Sequence, residues 1–141
     1  MLYGTSAANL SKLQRIQNSL AKLVIQQPGI TSSMALHDLH WLPIQQRIDF
    51  KISTLTYKLL HSGTPYYLSS LLQRYIPTRP LRSANHDLLV EPATSTVIGS
   101  RAFSIAATST WNKLPIGLRH ATSLLTFRRL LKAHLFSSII S

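Results

Sequence analysis

Apolar residues recur at steps of three and four through residues 40–61, HWLPIQQRIDFKISTLTYKLLH, and this spacing predicts a helix. Ile44, Ile48, Ile52, Leu55 and Leu59 make one narrow stripe, while Phe50 and Tyr57 lie on the opposite side. A helix that is apolar on two sides is expected at the centre of its domain. Pro43 suits the first turn, where its missing N–H would have no intrahelical partner, and Gly63 and Pro65 end the run.

The same periodicity predicts a first helix over about residues 7–26. Leu10, Leu13, Ile16, Leu20, Leu23 and Val24 form its buried stripe, with Arg15 and Lys22 on the reverse face and Lys12 at the flank. Gln27-Pro28-Gly29 closes it. A short helix over about 33–40 is expected after a Ser32-Ser33 cap, leading through Trp41 into the central helix. Pro65 should open another short helix that buries Leu68, Leu71, Leu72 and Tyr75 on one face.

Residues 76–100 change character. Pro77, Pro80 and Pro92 break any helix, and Leu88-Leu89-Val90 and Thr96-Val97-Ile98 have strand-like composition. The two runs suit either a hairpin across Glu91–Ser95 or a loop pinned to the helices. Phe103 and Ile105 alternate briefly before a helical turn around Ala107–Lys113 that carries Trp111. A last helix starts at a Thr122 or Ser123 cap. Leu124, Phe127, Leu131 and Leu135 form its stripe, widened by Leu130, and Arg128, Arg129 and Lys132 face away. The expected fold is a mainly α, single domain over residues 1–141, with about five helices and the hairpin as an option.

Composition sharpens this picture in two ways. With 141 residues and 45% hydrophobic content, the chain is long enough for one core, burying about 68% of its extended surface. Fifteen Lys and Arg face only four acids, Asp38, Asp49, Asp87 and Glu91, for a net charge of +11. After Glu91 there is no acid, while Arg101, Lys113, Arg119, Arg128, Arg129 and Lys132 follow. Such an excess favours polyanions, either nucleic acid or an anionic membrane surface; a merely solvated basic face is the plainer reading.

Cysteine is absent, which excludes disulfides, thiolate catalysis and Cys-based zinc sites. No run of about 18 apolar residues is present, so no membrane span is expected. The opening MLYGTSAANLSK lacks the charged and apolar regions of a secretory signal, pointing to a cytoplasmic or nuclear location. Residues 6–27 are amphipathic, basic and acid-free, as mitochondrial transit peptides also are.

Five strings, in order along the chain, carry a resemblance. They are LQRIQNSLAKLV at 13–24, HWLP with RIDFKI and LTYKLLH within 40–61, LRSANHDLLVEP at 81–92, RAFSIAATSTWNKLP at 101–115 and FRRLLKAHLF at 127–136. Together they resemble the segment that follows the polymerase in reverse transcriptases of non-LTR (LINE-type) retrotransposons. The resemblance implies an accessory C-terminal segment whose natural partner is the polymerase domain of a parent reverse transcriptase. It favours a structural helix over a transit peptide at residues 6–27. The position of Met1, just before the first string, suits a truncated copy. The zinc knuckle that ends several retrotransposon proteins has no counterpart here.

The chemistry of polymerisation does not carry over. Two-metal catalysis needs clustered carboxylates, and no two of the four acids adjoin. The acidic metal site of the partner endonuclease is equally missing. His37 and His40 flank Asp38, but the remaining histidines are scattered without ligand spacing, so no metal site is expected. No G-x-S-x-G elbow supports a hydrolase, and the five glycines never cluster into a phosphate loop. Trp41 and Trp111, in HWLP and WNKLP, suit corner plugs of the core better than stacking platforms for bases.

What remains is binding without catalysis and without a cofactor. The expected ligand is the phosphate backbone of RNA or DNA, held by Lys12, Arg15 and Lys22 on the first helix and by Arg128, Arg129 and Lys132 on the last. A packing module that touches no nucleic acid, or a remnant with no selected role, is the alternative. Primer-extension assays with Mg²⁺ or Mn²⁺ on an RNA template should stay at background. Extension that survives purification and vanishes on mutating Asp87 or Glu91 would contradict this.

Overall fold

The computed structural model describes residues 2–78 and 86–140. Helix predominates among them: α1 (Ala7–Ile25), α2 (Ser32–Asp38), α3 (Ile44–Ser62), α4 (Tyr66–Ser69), α5 (Phe103–Asn112), α6 (Ile116–Arg119) and α7 (Leu124–Ile140). A 3-10 turn at Gly99–Arg101 precedes α5. The fold is thus mainly α, as the periodicity predicts; the helical turn expected around Ala107–Lys113 is the longer helix α5, and α6 is an added turn.

Helix α3 is the centre, packed by α7, α5 and α1. Its two apolar sides are buried against different neighbours. Ile48 and Ile52 meet Ala106 and Ala107 of α5, whose small side chains let the two helices approach closely. Tyr57 meets Trp111 and, from α7, Phe127, Leu131 and Leu135. The Tyr57 and Phe127 rings stack with centroids 4.5 Å apart, and Phe127 lies 5.9 Å from Trp111. Each polar tip is satisfied: Tyr57 Oη donates to the Ala121 carbonyl at 2.8 Å, and Trp111 Nε1 donates to the Asp87 carbonyl at 2.8 Å. Gly63 ends α3 in the left-handed region, at φ 65°, with its N–H returned to Leu59.

Several expectations are corrected. The N-cap of α2 is Thr31, whose hydroxyl accepts the Met34 N–H at 3.3 Å, and the helix ends at Asp38. Helix α4 is a single turn. Leu68 and Leu72 are half-buried, but Leu71 and Tyr75 are exposed; turn bonds continue to Leu72, and Tyr75 lies in the extended segment that follows and pairs elsewhere. No hairpin forms across Glu91–Ser95. Leu88–Val90 instead runs antiparallel to Gln73–Tyr75, with Tyr75 N–H on the Leu88 carbonyl and Val90 N–H on the Gln73 carbonyl, both at 2.8 Å.

The side chain of Asn112 completes this pairing from the other side, accepting from Leu89 N–H and donating to Leu89 C=O, both at 2.9 Å. An ion pair between Arg74 and Asp87 ties the two segments further. Val97 and Ile98 are exposed beside the 3-10 turn. Phe103 and Ile105, which alternate like a strand, belong to the helix α5. Pro80 and residues 81–85 of the third family-like string lie outside the described residues.

The largest correction concerns α1. Ile16, Leu20, Leu23 and Val24 face solvent, and the buried residues are Gln17 and Ala21. Two glutamines account for the rotation. Gln17 Nε2 donates to the Leu42 carbonyl at 2.8 Å, and Gln14 Oε1 accepts the Ile44 N–H at 2.9 Å. The second bond caps α3, whose N-cap, Pro43, has no side-chain acceptor to offer. Ala21 meanwhile packs on Ala35 and Leu36 of α2. In α7 the stripe Phe127, Leu131 and Leu135 is buried as expected, Ser123 caps the helix, and Leu130 stays exposed.

The tryptophans divide. Trp111 is 0% exposed and is a core plug; Trp41 is only half-buried. Trp111→Ala should therefore cost about 3–5 kcal/mol. Trp41→Ala should cost less than about 2 kcal/mol. Urea denaturation of both variants measures the difference, and equal losses would contradict it.

Candidate nucleic-acid interface

The α2–α3 corner sets one wall of a groove. Leu39 ends α2, and His40 takes the left-handed conformation at φ 52°. Its N–H bonds the His37 carbonyl at 2.9 Å, and the Trp41 N–H bonds the Leu36 carbonyl at 2.8 Å. This is a Schellman closure, with Trp41 packed back on Leu36 as the apolar contact that usually accompanies it. It fixes the indole at the mouth of the groove.

Arg47 and Lys51, one turn apart on α3, and Arg128 and Lys132, one turn apart on α7, supply the charge. With His40, Trp41 and Phe50 they line a groove of about 460 Å³. The cations lie over aromatic rings: Arg47 Cζ is 5.9 Å from the Trp41 ring and Arg128 Cζ is 5.9 Å from Phe50. Lys132 Nζ is 5.8 Å from the Phe136 ring. Such contacts contribute roughly 0.5–1 kcal/mol at exposed sites and hold the long side chains in place.

Among the described residues no carboxylate lines the groove. Among the described residues the ion pairs are His37–Asp38, at 3.6 Å, and Arg74–Asp87, so none of the four cations is neutralised by an acid. Asp49 lies roughly 160° around α3 from both Arg47 and Lys51. It borders a separate hollow with Gln45, Ser53, Lys113 and His134. Burial pushes the Asp49 carboxyl above its ordinary value of 3.8, against a hydrogen bond from Gln45 at 3.3 Å and the charge of Lys113.

All six sequence-predicted cations, Lys12, Arg15, Lys22, Arg128, Arg129 and Lys132, are exposed. Only Arg128 and Lys132 line the groove. Lys12, Arg15 and Lys22 remain on α1, outside the groove; Lys12 adjoins its outward apolar residues, and Arg15 and Lys22 lie on the reverse side. Arg119 is removed from any surface role: it is 6% exposed, with Nη1 donating to the Asn112 carbonyl at 3.4 Å. Burial lowers its pKa, opposed by Asp87, though a guanidinium keeps its proton.

Arg47 and Lys51 escaped sequence reasoning, although their four-residue spacing on a confidently periodic helix was a usable signal. His37 and His40 are exposed, with ring centroids 6.4 Å apart. Among the described residues no three His, Cys, Asp or Glu side chains are placed to hold a metal, and no helix is long and apolar enough to cross a membrane. Comparisons with family models, with curated proteins and with solved structures find no match to this chain.

The Asp49 environment gives a pH prediction. Its folded pKa lies above the unfolded one, so the folded state binds the proton more tightly, and stability falls as pH rises from 3.8 through the raised value. Asp49→Asn, which stays neutral, should melt above the parent at neutral pH, with the gap closing on acidification below that window. Thermal melts across a pH series test this; a gap that widens towards low pH would reverse the assignment.

Proposed function

We propose that this chain holds the phosphate backbone of RNA or DNA in the groove between α3 and α7, without catalysis and without reading base sequence. The observation that carries the reading is the convergence of Arg47, Lys51, Arg128 and Lys132 on one groove that contains no carboxylate among the described residues. Four like charges brought together are relieved by a polyanion, and each phosphate neutralised releases counterions. Arg and Lys contacts to phosphate position a strand but carry no base code. The net charge of +11 extends the attraction beyond the groove and favours fast, salt-sensitive association.

The five family-like strings support a more specific version. In it the chain is an accessory segment of a LINE-type reverse transcriptase, working beside a polymerase domain in the cytoplasm or nucleus and using no cofactor. Two of those strings, at 40–61 and 127–136, contain all four groove cations. The resemblance and the groove thus fall on the same residues.

Fluorescence anisotropy with labelled duplex DNA and single-stranded RNA across a salt series tests the reading. Log K should fall linearly with log salt. Changing Arg47, Lys51, Arg128 and Lys132 to Gln should flatten the slope by up to about 3.6 units on duplex and about 2.8 on a single strand. The control Lys12, Arg15 and Lys22 to Gln should change the slope much less. No binding at low salt would favour a packing module that touches no nucleic acid. An unchanged slope in the groove variant would move the site elsewhere.

A further inference from the structure

A second hollow adjoins the cationic groove and differs from it in chemistry. It has a volume of about 450 Å³ and lies between α2 and the C-terminal end of α7. Met34, Leu36, Pro43, Phe136 and Ile139 give it apolar walls, and Trp41 is the side chain it shares with the groove. Its polar side chains are Ser33, His37 and Asp38, with His37 Nδ1 3.6 Å from the Asp38 carboxylate. Ring contacts join the two spaces. Arg47 Cζ lies 5.9 Å from the Trp41 ring and Lys132 Nζ lies 5.8 Å from the Phe136 ring. The His40 ring, also from the groove, meets Phe136 edge to face with centroids 6.3 Å apart. Two of the four groove cations thus sit on the indole and the phenyl ring that wall the hollow.

We infer that this hollow receives an unstacked base of a single strand whose phosphates lie in the adjoining groove. This assignment rests on the phosphate-binding reading of the groove and names the form of nucleic acid held there. A phosphate is disfavoured in the hollow itself, because Asp38 lines it and, among the described residues, no Lys or Arg does. A flat apolar ring suits walls of this composition, and the few polar side chains can meet its heteroatoms. A nucleotide carries such a ring one sugar away from a phosphate, which matches two spaces that share the Trp41 side chain. Trp41 is half-buried whereas Trp111 is fully enclosed, so Trp41 alone of the two has surface on which a base can stack. A duplex keeps its bases paired inside the helix, so it can fill the groove but not the hollow. Stacking tolerates any base, in keeping with phosphate contacts that read no sequence.

The test uses the full chain and compares a single strand of about twelve thymidines with an abasic strand of equal length and equal phosphates. By competition anisotropy at one salt concentration, the thymidine strand should bind about tenfold tighter than the abasic one. It should also quench Trp41 emission, which neither the abasic strand nor a duplex of that length should do. Trp41→Leu keeps an apolar side chain against Leu36 and removes the ring. That variant should lose the quenching and bind the thymidine strand about tenfold more weakly, with abasic binding within about twofold of the parent. Misfolding would cost both strands equally, so the split between them separates stacking from stability.

The groove variant, with Arg47, Lys51, Arg128 and Lys132 to Gln, should weaken both strands alike, since it removes phosphate contacts. The two readings fail in different ways. If neither strand binds at low salt, the phosphate reading falls and the base site falls with it. Equal binding of the thymidine and abasic strands overturns the base site alone and leaves the groove reading standing. So does equal weakening of both strands by Trp41→Leu, or quenching by the duplex as strong as that by the single strand.

Discussion

The buried indole of Trp111 is the constraint on which the rest of the structure depends. Its ring supplies the largest fully buried side chain and completes the stack through Phe127 to Tyr57, joining α5, α7 and α3. Its N–H must be satisfied, because a buried donor without an acceptor costs about 1–3 kcal/mol. The Asp87 carbonyl fills that need. This draws an irregular segment onto the helices, where Asn112 then grips both backbone groups of Leu89. The segment pairs in turn with Gln73–Tyr75, so one aromatic side chain organises the least regular part of the molecule.

A second constraint sets the outer surface. The start of α3 needs an acceptor for its first N–H groups, and Pro43 provides none. Gln14 supplies it from α1, and Gln17 holds the Leu42 carbonyl one turn further on. These bonds contribute about 1 kcal/mol each. Leaving an aliphatic side chain in water forgoes roughly 1.5–3 kcal/mol relative to full burial, and α1 turns four of them outward. The isolated fold thus leaves apolar burial unused on α1, whereas none of the large apolar side chains of α3 is exposed.

The two surfaces built on this frame differ in kind. The groove between α3 and α7 is cationic, with guanidinium groups laid over aromatic rings and the carboxylates of the chain directed elsewhere. The outward α1 face is aliphatic, with Lys12 beside it and Arg15 and Lys22 on the reverse side of the helix. Lys12, Arg15 and Lys22 resemble Arg128 and Lys132 in charge and exposure, yet they lie on α1, outside the groove. Charge counted along the chain cannot separate the two roles; the neighbours of each cation can.

Periodicity alone determined the central helix, its two buried sides, the Gly63 stop and the Phe127, Leu131 and Leu135 face of α7, since each depends on residues one or two turns apart. The likeness of all basic residues in sequence showed that cations were available, and half of the groove. Tertiary structure decided the rest. It chose the glutamine face of α1 over its leucine face because two polar groups at the start of α3 required partners. It gave Leu88–Val90 to Gln73–Tyr75 rather than to Thr96–Ile98 because Trp111 and Asn112 offered bonds that no local turn could supply. It brought Arg47 and Lys51 opposite Arg128 and Lys132, some eighty positions later in the chain, because α3 and α7 pack side by side. Helical spacing records what a residue meets on its own helix, and these choices were made between elements, where hydrogen-bond satisfaction and the fit of large side chains outweigh it.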